Sequence, residues 1–304
     1  MQYVSILSPA FSGSTLLSIL LTSQPRSIGF GDTYFNPRNS PKHLCTCGRQ
    51  FLQCEPRLKI ANAIRSGGVS DFSWETAAAV PMPKSWPRSK EGYWPLLSST
   101  SMGALRTIPS SFRRALFNRF YQETRLMVDY LKDTGAYDYY FDGSKIASRL
   151  ELLRTEIPGI KLIHMVRHPG AILYHDQRFG AFNVESRLAH WVRFHRRSRK
   201  FRSILGSHNY LAVPYEKIVQ EPATFLRRVA SFLNMQDVQL EGASFIDKSK
   251  VHILGNAMRE NVQEIIDYSN TWREHVPAES QTLADQTFRS EDWVVDMYND
   301  WGVK

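Results

Sequence analysis

A serine-rich segment with phosphate-binding character follows the first apolar run of the chain. Residues 8–15 read Ser-Pro-Ala-Phe-Ser-Gly-Ser-Thr. The N–H groups of a following helix, with the hydroxyls of Ser12, Ser14 and Thr15, would offer hydrogen bonds to an anion. Ser14 stands where a phosphate-binding loop of an ATPase has its lysine. The segment therefore favours a nucleotide's 5′-phosphate over ATP hydrolysis, and a plain helix N-cap is the alternative.

Two basic residues follow other strand-like runs. Arg167 ends the run at 161–167, and Lys145 comes three residues after Asp142, where another run ends. In open α/β sheets, ligands bind at the carboxyl edge of the strands. We therefore expect Lys145 and Arg167 to converge with the serine-rich segment, although an arginine at this position can also be a surface residue without a ligand.

Three cysteines lie within ten residues of one another. Cys45, Cys47 and Cys54, with His43 just before them, include the ligand types of a tetrahedral zinc site. The Cys-x-Cys spacing is shorter than the usual gap between zinc ligands, and a reducing compartment also permits three plain thiols. We favour the three thiols over zinc bound by His43, Cys45, Cys47 and Cys54; four protein ligands would make such a site structural.

The elements that must position these residues are strands alternating with helices. Nearly continuous apolar character predicts four buried parallel strands, at Gln2–Ser8, Asp138–Asp142, Lys161–Arg167 and Asn209–Pro214. Helical spacing predicts helices at Gly13–Thr22, Ser148–Thr155 and Pro222–Met235. The alternation predicts an α/β fold. Residues 66–111, rich in Gly, Pro and Ser, predict a loop-rich insertion whose aromatic residues either line an acceptor pocket or pin the insertion to the core.

Composition and charge narrow the class of protein. The chain has 304 residues, 42% of them hydrophobic, and 38 Lys plus Arg against 29 Asp plus Glu give a net charge of +9. Such a chain can bury a large core, so disorder is excluded. The basic excess, concentrated at 187–202, favours anionic ligands, with a solvated basic helix as the alternative. Without a 20-residue apolar run or a signal peptide, we expect a cytoplasmic protein that does not insert into membranes.

Four motifs in order resemble those of the PAPS-dependent sulfotransferases, in particular bacterial enzymes that act on small molecules. These enzymes move a sulfuryl group from 3′-phosphoadenosine-5′-phosphosulfate (PAPS) to an acceptor. The motifs are Ser12-Gly13-Ser14-Thr15, Val166-Arg167-His168-Pro169, Tyr215-Glu216 before Pro222 and its helix, and His252-x-x-Gly255-Asn256-x-x-Arg259. The segment Cys45-x-Cys47-Gly48 also looks like one found in some bacterial members.

The resemblance implies a fold and a set of roles. The fold would be a single domain over residues 1–304, a three-layer sandwich with a central, mostly parallel sheet, related to the P-loop NTPases. The implied donor-binding residues are Ser12, Gly13, Ser14 and Thr15 for the 5′-phosphosulfate, Arg167, His175, Asn256 and Arg259 for the 3′-phosphate, and Tyr215 near the nucleotide. Asp32 would take the acceptor's proton and Lys145 would stabilise the transferring group.

Two positions depart from the family pattern. Phe11 replaces a basic residue that contacts the leaving phosphate, and His175 replaces a serine. A histidine can still donate a hydrogen bond to phosphate. The missing charge at Phe11 keeps open a second interpretation, a nucleotide-binding regulatory protein of the same fold without turnover.

The resulting functional expectation is sulfuryl transfer by in-line displacement to a hydroxyl or amine of a small molecule, possibly a secondary metabolite, with 3′,5′-ADP as product. No catalytic metal is expected, because the donor is already activated. A P-loop kinase is a further alternative, and the absence of Gly-Lys-Ser/Thr opposes it. We expect no nucleic-acid partner, although the basic stretch at 187–202 would be its binding segment.

Overall fold

A five-stranded parallel sheet organises the chain. The computed structural model describes residues 1–31, 44–74, 105–177, 183–239, 251–254 and 271–303. The strands are β1 (Gln2–Leu7), β2 (Ser27–Gly31), β3 (Tyr139–Asp142), β4 (Lys161–Val166) and β5 (Tyr210–Pro214). Their order in the sheet is β2-β3-β1-β4-β5, and every neighbouring pair is parallel. The α/β class and the four expected strands are confirmed.

Helices connect the strands and follow the last of them. In chain order over the described residues they are α1 (Ser14–Thr22), α2 (Glu55–Ser66), α3 (Ser110–Leu116), α4 (Asn118–Asp133), α5 (Ala147–Leu153), α6 (Pro169–Gln177), α7 (Val184–Arg199), α8 (Phe201–Leu205), α9 (Tyr215–Gln220), α10 (Pro222–Leu233), α11 (Trp272–His275), α12 (Ala278–Arg289) and α13 (Asp292–Asp300). The three helices expected from spacing are α1, α5 and α10, each within two residues of the predicted bounds. No helix in these ranges has both the length and the apolar character needed to cross a membrane.

Two apolar cores cover the two faces of the sheet. Successive side chains of a strand point to opposite faces. Accordingly, Val4 and Ile6 of β1 pack in the core that contains α1 and α10, whereas Tyr3 and Leu7 pack in the core that contains α2 and α4. The sheet therefore lies between two layers of helices, which is the expected three-layer sandwich.

The strand β2 was not predicted from sequence. Its residues, Ser-Ile-Gly-Phe-Gly, carry too few apolar side chains to stand out as a buried run. Gly29 is nevertheless needed there, because a Cβ at this position would lie 2.6 Å from the carbonyl oxygen of Phe141 in β3. The close approach of β2 to β3 thus explains why Gly29 is present, and this glycine is one reason why the strand is not recognisable as an apolar run.

The expected insertion at 66–111 is described only at its two ends. Helix α2 ends at Ser66 and α3 begins at Ser110. Trp74 is buried against Phe30 and Phe72, and its Nε1 donates a 2.9 Å hydrogen bond to the carbonyl oxygen of Arg57. This tryptophan therefore pins the start of the insertion to the core. The remaining aromatic residues of the insertion lie outside the described residues.

Candidate functional site

The carboxyl edge of the sheet gathers the expected site residues. Because all five strands are parallel, their carboxyl ends meet at one edge. The serine-rich loop follows β1, Lys145 follows β3 by three residues, Arg167 directly follows β4, and Tyr215 directly follows β5. Four sequence segments that are distant along the chain therefore converge there.

The loop between β1 and α1 has an unusual backbone. Phe11 has a φ of 63° and Gly13 a φ of 88°, both in the left-handed region. Gly13 is the N-cap of α1 and no side chain caps this helix, so its first N–H groups are left for other acceptors. A Cβ at position 13 would lie 2.1 Å from Cδ2 of Tyr215. The glycine is therefore required both by its φ and by the tyrosine packed against it.

Arg167 connects the end of β4 to this loop. Its Nη1 donates a 2.8 Å hydrogen bond to the carbonyl oxygen of Phe11, and its guanidinium carbon lies 4.1 Å from the ring centre of Tyr215. Its own carbonyl oxygen accepts a 3.0 Å hydrogen bond from Nε1 of Trp191. Arg167 is 5% exposed. Such a residue is held in place by its surroundings rather than free in solvent.

Three buried polar atoms at this edge have no hydrogen-bond partner among the described residues. They are Oγ of Ser8, Oγ of Ser12 and Nε of Arg167. Buried polar groups in folded proteins are nearly always satisfied, and an exception calls for a water, an ion or a ligand. The two hydroxyls and the guanidinium N–H are all able to donate to an anion. These donors are therefore able to bind a negatively charged group at the loop.

Tyr215 remains a neutral phenol beside the guanidinium of Arg167. Burial raises its pKa, and the positive charge of Arg167 only partly opposes that effect. Its ring packs against Gly13 and also faces the guanidinium of Arg167. Tyr215 thus fixes the relative position of the loop and the arginine.

Glu216 supports the turn that carries Arg167, a role that the sequence did not indicate. One carboxylate oxygen accepts a 3.0 Å hydrogen bond from the backbone N–H of His168, and the other accepts a 2.6 Å bond from the hydroxyl of Tyr298. Burial lowers the pKa of His168 to about 4, so its imidazole is neutral at pH 7. The Tyr-Glu pair after β5 was a recognisable signal, but the partners of Glu216 come from distant segments.

A buried carboxylate fixes the turn that carries Lys145. Asp142 accepts hydrogen bonds from the Tyr3 hydroxyl (2.6 Å), Nε of Arg149 (2.7 Å) and the backbone N–H of Ser144 (3.0 Å). Burial raises the pKa of Asp142, but the Arg149 charge and these bonds outweigh it and the pKa lies below its usual value. Lys145 itself has a φ of 63°. The lysine is therefore presented by a constrained turn at the edge of the sheet.

Phe11 and His175, the two residues that depart from the family pattern, contact each other. The rings of Phe11 and His175 are stacked, with centroids 5.4 Å apart and planes 12° apart. His175 belongs to α6, which begins two residues after Arg167. The structure therefore places His175 beside the loop, and its role in donor binding stays a prediction.

Four expected residues lie outside the part of the chain that the structure describes, namely Asp32, His43, Asn256 and Arg259. The described residues next to two of them do meet. Leu254 donates a 2.9 Å backbone hydrogen bond to Phe30, and Leu254 and Gly31 form an isolated parallel bridge. The segment 251–254 thus runs along the carboxyl end of β2.

The three cysteines are free thiols in the structure. The imidazole that the structure places with them is that of His252, and His43 lies outside the described residues. The prediction that includes His43 is therefore not tested, and His252 is a partner of the thiols that the sequence analysis did not name. Local spacing could not reveal it, because His252 comes 198 residues after Cys54.

The fold is similar to several solved bacterial sulfotransferases. The sulfotransferase domain of the Synechococcus PCC 7002 olefin synthase matches with 16% identity and a TM-score of 0.49, over 94% of this chain and 93% of that one. The sulfotransferase domain of the curacin biosynthetic pathway matches with 17% identity and a TM-score of 0.46, over 94% and 96%. Sulfotransferase STF9 from Mycobacterium avium matches with 15% identity and a TM-score of 0.43, over 82% and 67%.

Sequence comparison gives two results. No curated protein matches the chain. Residues 4–239, however, match the model of the sulfotransferase family, and this range contains most of β1, all of β2 to β5, the serine-rich loop, Arg167 and Tyr215. The chain belongs to the sulfotransferase family.

Proposed function

We propose that this protein transfers the sulfuryl group of PAPS to a hydroxyl or amine of a small-molecule acceptor. The observation that supports this best is a set of donors around the loop after β1 that have no partner among the described residues, namely the hydroxyls of Ser8 and Ser12 and Nε of Arg167. A member of the sulfotransferase family that carries an anion-binding loop without the ATPase lysine is suited to a phosphosulfate donor.

The donor PAPS carries two anionic groups, and different residues would bind each of them. Ser12, Gly13, Ser14 and Thr15, with the uncapped N-terminus of α1, would hold the 5′-phosphosulfate. Arg167 would bind the 3′-phosphate, which distinguishes PAPS from ordinary adenine nucleotides, with His175, Asn256 and Arg259 as further donors. Tyr215 would border the nucleotide.

The transfer step is an in-line displacement. A bond forms between the acceptor's oxygen or nitrogen and the sulfur while the bond from sulfur to the 5′-phosphate oxygen breaks. Asp32 would accept the acceptor's proton, and the electron pair of the broken bond stays on 3′,5′-ADP. Lys145 and the amides of the loop would stabilise the charge spread over the transferring group, so that positioning and positive charge account for the catalysis.

One observation favours a second candidate function, a nucleotide-binding protein without turnover. Phe11 occupies the position of a basic residue in the family pattern, and its ring is packed against His175 rather than leaving space for a charge. The cation that would contact the leaving phosphate must then come from Lys145 or from another basic residue.

Sulfuryl transfer itself distinguishes the two functions. The full chain is incubated with PAPS labelled in the sulfuryl group and with mixtures of phenols, alcohols and amines, and labelled product is separated from the donor. We expect acceptor-dependent transfer that falls at least 100-fold in Asp32→Asn, since a general base contributes about 10²–10⁴-fold. Unchanged affinity of Asp32→Asn for 3′,5′-ADP is the control. Tight binding of 3′,5′-ADP without transfer would instead identify the regulatory protein.

A further inference from the structure

Three thiols and one imidazole meet at a single point near the carboxyl end of β2. The sulfur atoms of Cys45, Cys47 and Cys54 and a ring nitrogen of His252 all lie within 4.8 Å of one another. Cys45 and Cys54 are buried, and Cys47 and His252 are partly buried. Local spacing accounts for the three cysteines being together, but the histidine reaches them only through the tertiary fold.

The spacing of these atoms is that of a zinc coordination sphere. Sγ of Cys54 lies 3.7 Å from Sγ of Cys45, 3.9 Å from Sγ of Cys47 and 3.3 Å from Nδ1 of His252. In tetrahedral zinc sites, bonds of about 2.3 Å to sulfur and about 2.1 Å to nitrogen put the ligand atoms about 3.8 Å (S to S) and about 3.6 Å (S to N) apart. A disulfide would require about 2.05 Å. These three distances are close to those between the ligands of one zinc ion, the remaining pairs of atoms lie within 4.8 Å, and none of the three fits a disulfide or a bond between sulfur and nitrogen.

A short turn holds two of the thiols. The backbone N–H of Cys45 donates a 2.8 Å hydrogen bond to the carbonyl oxygen of Arg49, and that of Gly48 donates a 2.9 Å bond to the carbonyl oxygen of Cys45. Helix α2 begins directly after Cys54. Three potential ligands thus come from one locally ordered segment, and they are already close together.

Hydrogen bonds of Thr46 fasten the segment that carries His252 to this turn. Its backbone N–H donates to the carbonyl oxygen of Ile253 at 3.3 Å, and its hydroxyl accepts from the N–H of Ile253 at 3.0 Å and donates to the carbonyl oxygen of Val251. His252 lies between these two anchored residues. The backbone on both sides of the imidazole is therefore fixed.

A buried arginine supplies the compensating charge. Zn²⁺ bound by three thiolates and a neutral imidazole carries one net negative charge. Arg57 is 0% exposed, and its guanidinium donates to the carbonyl oxygens of Phe51, Phe30 and His252. Among the described residues no carboxylate forms an ion pair with it. Because a buried charge is costly without an opposite charge nearby, the guanidinium next to this cluster matches an anionic metal site.

From this arrangement we propose that Cys45, Cys47, Cys54 and His252 bind one Zn²⁺ ion. Four protein ligands leave no open coordination position, so the ion has a structural role. It fastens the segment 251–254 to the turn at 45–48, and Leu254 in turn bonds to Phe30 of β2. The metal would thereby fix this side of the carboxyl edge of the sheet, independently of which reaction occurs there.

Metal analysis of the full chain tests the site. The protein is purified without chelators and its zinc content is measured by mass spectrometry. A second preparation is expressed with cobalt in place of zinc, and its absorption spectrum is recorded. Both measurements are repeated on Cys47→Ser, His252→Ala and His208→Ala. Cys47 is only partly buried, so its replacement by serine tests the site with little effect on packing, and His208 is an exposed histidine on the surface before β5.

The proposal predicts about one zinc ion per chain in the wild type and in His208→Ala. It also predicts the absorption bands of tetrahedral cobalt bound to thiolate in both. Cys47→Ser and His252→Ala should each retain less than about a tenth of the metal under the same purification. Absence of metal and of the cobalt bands in the wild type would overturn the proposal. Full metal content in His252→Ala would also overturn it, because the imidazole would then not be a ligand.

Discussion

Arg167 and Phe11 are joined by a 2.8 Å hydrogen bond from Nη1 to the carbonyl oxygen, which ties the end of β4 to the loop after β1. The bond occupies one donor of the guanidinium and leaves Nε without a partner among the described residues. An anion bound at Nε would therefore be held in a fixed position relative to the loop. This relationship is the structural basis of the proposed distinction between 3′-phosphorylated and ordinary nucleotides.

Replacement of Arg167 by lysine should weaken binding of 3′,5′-ADP by at least tenfold. A hydrogen bond to a charged group contributes about 1.5–3 kcal/mol, and a lysine cannot donate to both the Phe11 carbonyl and a phosphate with the fork geometry of a guanidinium. Affinity for 5′-AMP, which lacks the 3′-phosphate, should change little. Titration calorimetry with both nucleotides measures the two effects.

Arg228→Lys provides a matched control for that substitution. The guanidinium carbon of Arg228 lies 4.1 Å from the ring centre of Trp301, and its Nη1 donates to a backbone carbonyl oxygen, that of Asp300, at 2.9 Å. It therefore shares these two kinds of contact with Arg167, although its Nη2 also pairs with the Asp300 carboxylate, and it lies away from the loop. An equal loss of affinity for both nucleotides in Arg167→Lys, or any loss in Arg228→Lys, would contradict the assignment.

Gly13→Ala should destabilise the protein by more than about 2 kcal/mol. A residue with a Cβ loses about 1–2 kcal/mol in the left-handed region, and the new Cβ would also lie 2.1 Å from the Tyr215 ring. Gly159 has a φ of 72° with no atom within 4 Å of its added Cβ, so Gly159→Ala isolates the backbone contribution. Urea unfolding of both variants gives the comparison. Equal losses of stability would show that Tyr215 does not press on the loop.

Phe11→Lys should tighten binding of 3′,5′-ADP and make it more sensitive to salt. The substitution adds a positive charge to the anion-binding loop and keeps a side chain at the same left-handed φ. Loss of the ring stack with His175 should cost about 0.5–1.5 kcal/mol of stability. Phe11→Leu loses the stack without adding charge and should not bind more tightly. If both variants bind equally, the charge at position 11 has no part in donor binding.

The stability of the fold should decrease between pH 7 and pH 5 because of two buried histidines. Nε2 of His164 lies 2.8 Å from Nδ1 of His195, and Nδ1 of His164 lies 2.6 Å from the hydroxyl of Tyr210. Burial lowers the pKa of His164 to about 3, and burial with the neighbouring imidazole charge lowers the pKa of His195 well below its usual value.

The sign of this effect follows from proton binding. Below about pH 6.5 the unfolded chain protonates both imidazoles and the folded protein does not, so stability is lost as the pH falls toward 3. At pH 5 each of the two histidines should lower the free energy of unfolding by about 2 kcal/mol. Urea midpoints measured from pH 7 to pH 5 report the slope. His164→Phe should reduce the slope and His208→Gln, at an exposed histidine, should leave it unchanged; a flat profile in the wild type would contradict the prediction.

The sequence was sufficient to predict those strands and site residues whose signal lies in a short stretch of the chain. Strands β1, β3, β4 and β5 are nearly continuous apolar runs, and the loop, Arg167 and Tyr215 each follow one of them directly. Parallel pairing then brings these residues to one edge without further information. Strand β2 escaped detection because its two glycines remove its apolar pattern; Gly29 is required by the contact with β3, and Gly31 by the contact with the segment 251–254.

Contacts between distant segments could not be predicted in the same way. Glu216 is bound by Tyr298, 82 residues away, and the three thiols are joined by His252, which follows Cys54 by 198 residues. Such pairs depend on how helices and loops pack after the sheet has formed, and no spacing in one sequence encodes them. The buried Arg57 illustrates the same limit, since its guanidinium donates hydrogen bonds to the carbonyl oxygens of Phe30 and His252, which are distant in sequence.

Selective stabilisation by 3′,5′-ADP is the most direct test of whether this protein binds a 3′-phosphorylated adenine nucleotide, as a PAPS-dependent enzyme must. Thermal unfolding of the wild type is followed with 3′,5′-ADP, 5′-AMP and ATP at equal concentrations. A ligand at about 100 times its dissociation constant stabilises the folded state by about 2.7 kcal/mol, which gives an easily measured shift of the midpoint. A 3′-phosphate site at Arg167 predicts a large shift with 3′,5′-ADP and small shifts with the other two nucleotides. An equal shift with ATP, or no shift with 3′,5′-ADP, would contradict it.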